Sequence, residues 1–241
     1  MSRMNTNDSP RKAVLFDSDK TLLNGNTWYR FNEAMGITPA EDELLYRLGP
    51  EKEGALPYRD WIHVLTKIIL KRGRGSRAAI EKALFDYKLV DNAERVITEL
   101  KARGYTVGII SGGFNLLVDK LAAHLGIEHT YNNTFLVFDD TDMLEDILLT
   151  WEDDRYKPLI VQSFCRRMGI HPKDAYYVAD GANDAHIFEE TIGVAITPPT
   201  EAHEPWMQKA MAAGEEFSSR SAVTKARHTI NQLDQLLDIL K

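Results

Sequence analysis

The chain has 241 residues, 44% hydrophobic and 27% charged, which places it with ordinary globular proteins, away from the disordered class, and, at ~150 residues per domain, allows one core plus an inserted module. With 29 Lys and Arg against 36 Asp and Glu the formal net charge is −7, so no global field draws a polyanion, and neither nucleic acid nor an anionic membrane is expected as a partner. The single cysteine, Cys165, excludes an internal disulfide and a Cys-based zinc site and fits a cytoplasmic chain.

Met1–Arg11 is polar, lacks the apolar segment of a secretory signal, and reads as a frayed tail. No later stretch approaches the ~18 uninterrupted apolar residues of a membrane span. Ala13 to Phe16 predicts the first buried strand. From Asn24 to Lys88 no strand is convincing. Trp28, Phe31 and Met35, then Trp61, Ile62, Leu65, Ile68 and Ile69, recur at helical spacing, so residues 24–88 are expected to form a helical cap inserted into a core of residues 1–23 and 89–241. Within it, Lys71-Arg72-Gly73-Arg74-Gly75-Ser76-Arg77 reads as a solvated turn between cap helices.

Asp91 to Arg103 places Ala93, Val96, Ile97 and Leu100 on one helical face and stops at Gly104. A strand over Thr106 to Ile110 and a helix over Leu116 to Leu125 follow. Asn132-Asn133-Thr134 reads as a turn, and Thr134 to Phe138 with Met143 to Leu149 as a hairpin around an acidic Asp139–Asp142 turn. Pro158 to Met168 is a helix stopped by Gly169, with Cys165 as a buried filler. Strands over Tyr176 to Ala179 and Gly193 to Ile196 come next, and the spacing of Ile230, Leu233, Leu236, Leu237 and Leu240 predicts one long helix over Ala222 to Leu240. His124, His129 and His171 lack metal-ligand spacing and are expected to end helices or line turns. Alternating strands and helices predict an α/β, Rossmann-like, doubly wound parallel sheet whose ligands bind at the carboxyl ends of the strands.

Those ends carry the polar residues. After the first strand, Asp17 and Asp19 stand at i and i+2, so an extended chain would aim both carboxylates into one cleft and turn Ser18 away. Two such charges need a shared proton or a hard divalent cation, Mg²⁺ by preference. After the second strand, Ser111-Gly112-Gly113 presents a hydroxyl and two glycines before a helix, which suits an anion; an N-cap serine with a flexible turn would read the same way in isolation. Asp180-Gly181-Ala182-Asn183-Asp184 follows the third, and Lys157 opens the helix leading to it, where it would supply a fixed positive charge.

Asp17, Asp19 and Thr21, then Ser111-Gly112-Gly113, then Lys157, then Asp180, Gly181, Asn183 and Asp184 resemble, in that order, the four motifs of the haloacid-dehalogenase superfamily. The likeness covers about residues 12 to 200. Ile110–Phe114 and Asp180–Asp184 are similar to the phosphoserine phosphatase branch, and the helical insert to its cap, of the C1 type. The resemblance implies a Mg²⁺-dependent phosphomonoesterase that hydrolyses a small phosphorylated metabolite through an aspartyl-phosphate. Asp17 would be the nucleophile and Asp19 the general acid and base; Asp17, Asp19 (through its carbonyl) and Asp180 would hold the metal. Ser111, Gly112, Lys157 and Asn183 would bind phosphate, and Asp184 would support them. The acid at position 19 argues against dehalogenation, since halide leaves without a proton.

Two positions depart from the family pattern. Lys20 stands where relatives have a small residue, usually glycine, and is expected in solvent. Asn24-Gly25-Asn26-Thr27 has no acid where that branch carries a glutamate for the substrate amino group. Arg59 and Asn26 are the candidate substrate-binding residues of the cap, with Trp28 beside the hinge, and the cap is expected to close over the substrate. Asp19-Lys20-Thr21 is also similar to the phosphorylated site of ion-pumping ATPases, but those need membrane helices and the strand ends before Asp17. Two other readings compete: a phosphotransferase or phosphomutase on the same scaffold, and a non-catalytic phosphate-binding regulatory module.

Overall fold

Four apolar residues without polar interruption, Ala13–Phe16, form a strand, β1, that is buried on both faces and lies at the centre of the sheet. The computed structural model describes residues 12–49, 56–73, 75–151, 156–215 and 219–240; the expected tail Met1–Arg11, and Arg74 of the basic run, lie outside them. After β1 come four helices, α1 (Thr27–Ala34), α2 (Pro39–Arg47), α3 (Tyr58–Lys71) and α4 (Arg77–Phe85). The chain continues through α5 (Ala93–Ala102), β2 (Thr106–Phe114), α6 (Asn115–Leu125), β3 (His129–Phe138), β4 (Leu144–Leu149), α7 (Lys157–Met168) and β5 (Ala175–Ala179). It ends with α8 (Ala185–Phe188), β6 (Ile192–Ile196), α9 (Pro205–Ala212), α10 (Ser219–Lys225), β7 (His228–Ile230) and α11 (Leu236–Ile239). Among the described residues no helix is long and apolar enough to cross a membrane.

The strands form one sheet in the order β4-β3-β2-β1-β5-β6-β7, parallel except for the β3–β4 pair. The order reverses at β1, whose neighbours are β2 and β5. Successive side chains feed opposite layers: Val14, Phe16, Val107, Ile109, Val178 and Val194 pack into one core, whereas Ala13, Leu15, Tyr177, Ala179 and Ala195 pack with Val161, Phe164 and Cys165 of α7 into the other. The first core continues without a break through Phe114 into Phe31, Met35, Leu65, Ile69 and Ile80 of the helical cap.

The cap is tied down on several sides. Its two ends meet where Asn24 N–H donates to the Lys88 carbonyl at 2.8 Å. The β3–β4 hairpin projects beside it: Leu144 N–H donates to the Gly75 carbonyl at 2.8 Å, Arg77 Nε to Asp142 Oδ1 at 2.8 Å, and the Arg77 guanidinium lies 4.1 Å over the Phe138 ring. On another side Trp206 of α9 packs on Tyr29 and Tyr46.

Several expectations are corrected here. The helix expected over Ala222 to Leu240 is broken: β-branched Thr229 and Ile230 extend the free edge of β6 as β7, and Leu233, Leu236 and Leu240 are buried by a 3-10 turn, α11 and the residue that follows it. Asn132-Asn133-Thr134 is strand, not turn, since β3 begins at His129 as the parallel partner of β2. β2 itself runs to Phe114 with an irregularity between Ser111 and Phe114, and α6 starts only at Asn115, so Ser111 is not its N-cap. The expected turn between α3 and α4 is present. His124 and His171 hold a helix end and a turn: His124 bonds Glu94 at 2.9 Å and Tyr87 at 2.8 Å, and His171 Nδ1 accepts from Lys173 N–H at 3.1 Å.

Candidate active site

The reversal of strand order at β1 brings three strand ends together. Asp17 follows β1 directly, its N–H donating to the Val178 carbonyl of β5 at 3.0 Å, and Asp180 follows β5. Ser111, Gly112 and Gly113 lie at the irregular end of β2 on the other side. All five line one cavity of about 200 Å³, with Ser18, Asp19, Lys20, Lys157 and Asn183.

The loop after β1 is wound tightly: the N–H groups of Thr21, Leu22 and Leu23 all lie within 3.3 Å of the Ser18 carbonyl. That winding needs a left-handed residue, and Lys20 takes it with φ 53°, a conformation that strains a side-chain-bearing residue by roughly 1–2 kcal/mol and that glycine adopts freely. The turn carries Lys20 inward. Its side chain is not in solvent as expected but only 8% exposed, with Nζ 3.5 Å from Asp180 Oδ2. Ser18 is also buried, its hydroxyl 2.5 Å from that of Ser111, whose Oγ accepts from Gly113 N–H at 2.9 Å. Asp19 Oδ2 accepts from the N–H and hydroxyl of Thr27, the first residue of α1, at 2.9 and 2.8 Å, and its buried Oδ1 has no partner among the described residues.

Lys157, first residue of α7, is fully buried. Its Nζ donates to Asp184 Oδ1 at 2.8 Å and to Asp17 Oδ1 at 3.3 Å. Tyr177, which no sequence pattern singled out, donates its hydroxyl to the same Asp184 oxygen at 3.0 Å. Burial holds the Asp17 carboxyl well above the ordinary carboxylate range; Asp184, Asp180 and Asp19 add to that and Lys157 opposes it. Asp19 is raised to about 6, chiefly by burial, against the lowering hydrogen bonds from Thr27. Asp180 is raised by burial, with Lys20 opposing.

The cap covers the polar floor with an aromatic roof. Trp28 lies 4.3 Å from the Phe114 ring and 5.5 Å from Trp61, Tyr58 stacks on Trp61, and Trp61 Nε1 donates to the Leu45 carbonyl at 2.8 Å. Asn26 lines the cavity and caps α1, accepting from Trp28 N–H at 2.9 Å. Arg59 is exposed and is not among the lining residues; its neighbours Tyr58 and Trp61 are. Asn32 and Asp42 of the cap, also missed in the sequence, complete the wall. A helical amphipathic pattern gives no sign that a polar residue faces a cavity rather than solvent.

The donor set suits a hard divalent cation. Among the described residues four carboxyl groups (Asp17, Asp19, Asp180 and Asp184) face two ammonium groups (Lys20 and Lys157), an excess of two acids, and burial raises the Asp17, Asp19 and Asp180 carboxyls. Among the described residues no group of three or more His, Cys, Asp or Glu side chains is placed to hold a metal ion by itself. A cation here would draw on backbone oxygen and water as well, the habit of Mg²⁺.

A family model described as haloacid dehalogenase-like hydrolase matches residues 11–190. The chain is 29% identical over 187 residues to the phosphoserine phosphatase of Methanocaldococcus jannaschii, covering 76% of this chain and 83% of that protein. It is 32% identical over 185 residues to that of Albidiferax ferrireducens, covering 74% and 75%. A solved structure described as a phospho-aspartyl intermediate analogue of phosphoserine phosphatase superposes with a TM-score of 0.75 at 25% identity, covering 97% of this chain and all of that one.

Proposed function

Since the chain belongs to the haloacid dehalogenase-like hydrolases and is a phosphatase of that family, we propose that it hydrolyses a small phosphomonoester of the phosphoserine type through a phosphoryl group carried transiently on Asp17. The observation that carries this reading is Asp17 itself: a carboxylate at the end of the central strand, opening on a small cavity, with one oxygen held 3.3 Å from the buried Lys157 ammonium. The names of the two relatives and of the solved structure described above support the substrate type.

The other oxygen of Asp17 attacks phosphorus as the ester P–O bond breaks, and Asp19 gives its proton to the departing alkoxide. Asp19, raised to about 6 and anchored by Thr27, holds that proton in a part of the site shielded from bulk water. In the second half Asp19 takes a proton from water, whose oxygen attacks the acyl phosphate, releasing inorganic phosphate and the free Asp17 carboxylate. Lys157, the Ser111 hydroxyl, the backbone at Gly112 and the Asn183 amide take the phosphoryl oxygens, while Asp184 and Tyr177 fix Lys157. Mg²⁺ held by Asp17, Asp180 and the Asp19 carbonyl would supply the charge that lets a carboxylate approach a phosphate dianion.

This reading divides the chain into a catalytic core of residues 1–23 and 89–241 and a cap of residues 24–88 that encloses the substrate. It is tested by phosphate release from O-phosphoserine with Mg²⁺, and by acid-quenched mass spectrometry of the peptide containing Asp17. The wild type should release phosphate and carry a trapped phosphoryl group on that peptide. Asp17→Asn should lose turnover at least a thousandfold and carry none; a variant keeping a tenth of its turnover refutes the assignment.

A further inference from the structure

In the cap wall of the cavity, Asn32 of α1 and Asp42 of α2 are 3% and 7% exposed, and Asn32 Nδ2 donates to Asp42 Oδ1 at 2.8 Å. A carboxylate can only accept, so this bond fixes the amide with its oxygen on the other side. That oxygen, Asn32 Oδ1, is buried and has no hydrogen-bond partner among the described residues. An unmade bond of this kind leaves the desolvation of a buried acceptor uncompensated. Among the described residues no Lys, Arg or His forms an ion pair with Asp42, and Glu33, Glu41 and Glu204 surround it with like charge. Burial, chiefly, pushes its carboxyl up to about 7. Among the described residues nothing completes this pair of acceptors. A group that could do so must carry positive charge and several N–H donors within a small volume.

We propose that Asn32 and Asp42 form a subsite for a primary ammonium group on the substrate, so that the phosphomonoester accepted at Asp17 is one that also bears an amine. The proposal rests on the phosphatase reading of the same cavity, since the residues around Asp17 and those around Asp42 line one space. One N–H of the ammonium meets the Asn32 carbonyl oxygen and another the Asp42 carboxylate, which ends the electrostatic frustration of the acid. The aromatic wall between the two ends carries no charge and leaves the ammonium to be read at one place. Asn26 is not available for this task, because its side-chain oxygen is engaged in capping α1. The subsite therefore makes the cap a selector of amine-bearing esters rather than of phosphomonoesters in general.

O-phosphoserine and 3-phosphoglycerate test this, because they differ only in an ammonium against a hydroxyl at one carbon. With wild-type enzyme and Mg²⁺, kcat/KM should favour O-phosphoserine at least tenfold, and Asp42→Asn should reduce that ratio to below threefold. Isothermal titration of both esters into Asp17→Asn gives the same comparison without turnover, with Asp17→Asn/Asp42→Asn as the partner variant. Tighter binding of O-phosphoserine that Asp42→Asn abolishes supports the subsite even if no ester is hydrolysed, an outcome that removes the phosphatase reading instead. Equal affinity of the two esters, preference for 3-phosphoglycerate, or binding of neither overturns it. Should Asp42→Asn fail to fold, as circular dichroism would show, the wild-type ratio and the Asp17→Asn titrations decide alone.

Discussion

Replacing Lys157 with methionine keeps the length of the side chain and removes its charge at a fully enclosed point of the candidate site. The wild-type ammonium is fully buried and bridges two carboxylates, at 2.8 Å to Asp184 and 3.3 Å to Asp17. The shorter contact, a charge-assisted hydrogen bond, contributes about 1.5–3 kcal/mol. Losing the cation also leaves two buried carboxylates facing each other, and breaking a buried ion pair on one side costs about 3–5 kcal/mol. For a chain of this size that lowers Tm by roughly 6–20 °C. The sign with pH is specific. Asp17 already sits above the ordinary carboxylate range, and the variant removes the charge that holds it down. The folded variant then binds protons that its unfolded chain has released, so its stability falls as pH rises from the acid side toward neutrality. Urea unfolding in EDTA at pH 5 and pH 8 should show the larger deficit at pH 8. A deficit below about 1 kcal/mol, or one that is equal at the two pH values, would refute the view that Lys157 is the counter-ion of this cluster.

Thr27→Val removes the hydroxyl that donates to Asp19 at 2.8 Å while preserving shape. That bond favours the charged form, so the Asp19 pKa should rise further from about 6 and the acid should stay protonated to higher pH. The descending limb of the kcat/KM profile for O-phosphoserine should move toward alkaline pH; a move toward acid, or none, contradicts the role of Asp19 as proton donor. Gly193 in β6 is close-packed for a different reason: a Cβ there would meet Cβ and Cγ of Phe188 at 2.5 Å, the root of a ring that cannot swing aside. Gly193→Ala should lose roughly 1–3 kcal/mol by overpacking, read as a lower urea midpoint, and an unchanged midpoint would show that α8 shifts freely.

Much of this arrangement is written locally. Ala13–Phe16 can only be a central strand, because four apolar residues in a row leave no face for water, and the acids that follow inherit its direction. The four motifs are legible for the same reason: each lies within a few residues of a strand or helix boundary that periodicity marks. What periodicity does not carry is the path of a loop through three dimensions. Lys20 reads as a surface lysine until the bonds of three amides to the Ser18 carbonyl turn it inward. The C-terminal leucines have helical spacing, yet the open edge of β6 recruits Thr229 and Ile230 into the sheet, an outcome set by a neighbour more than thirty residues away. Asn32 and Asp42 belong to different helices, and only the packing of α1 on α2 makes them one feature. Arg59 illustrates the converse: the sequence offers it as a cap residue for the substrate, but the helix presents the adjacent Tyr58 and Trp61 to the cavity instead.

The clasp between the β3–β4 hairpin and the cap bears on how such enzymes could be recombined. Leu144, Asp142 and Phe138 belong to the sheet in sequence but hold Gly75 and Arg77 of the inserted helices in space. A graft that moved only the insert to another scaffold would leave behind the ribbon against which it is registered. Transplanting the cap in its register therefore requires two separate stretches of chain to travel together, and a substitution at Asp142 would loosen the inserted helices from outside them.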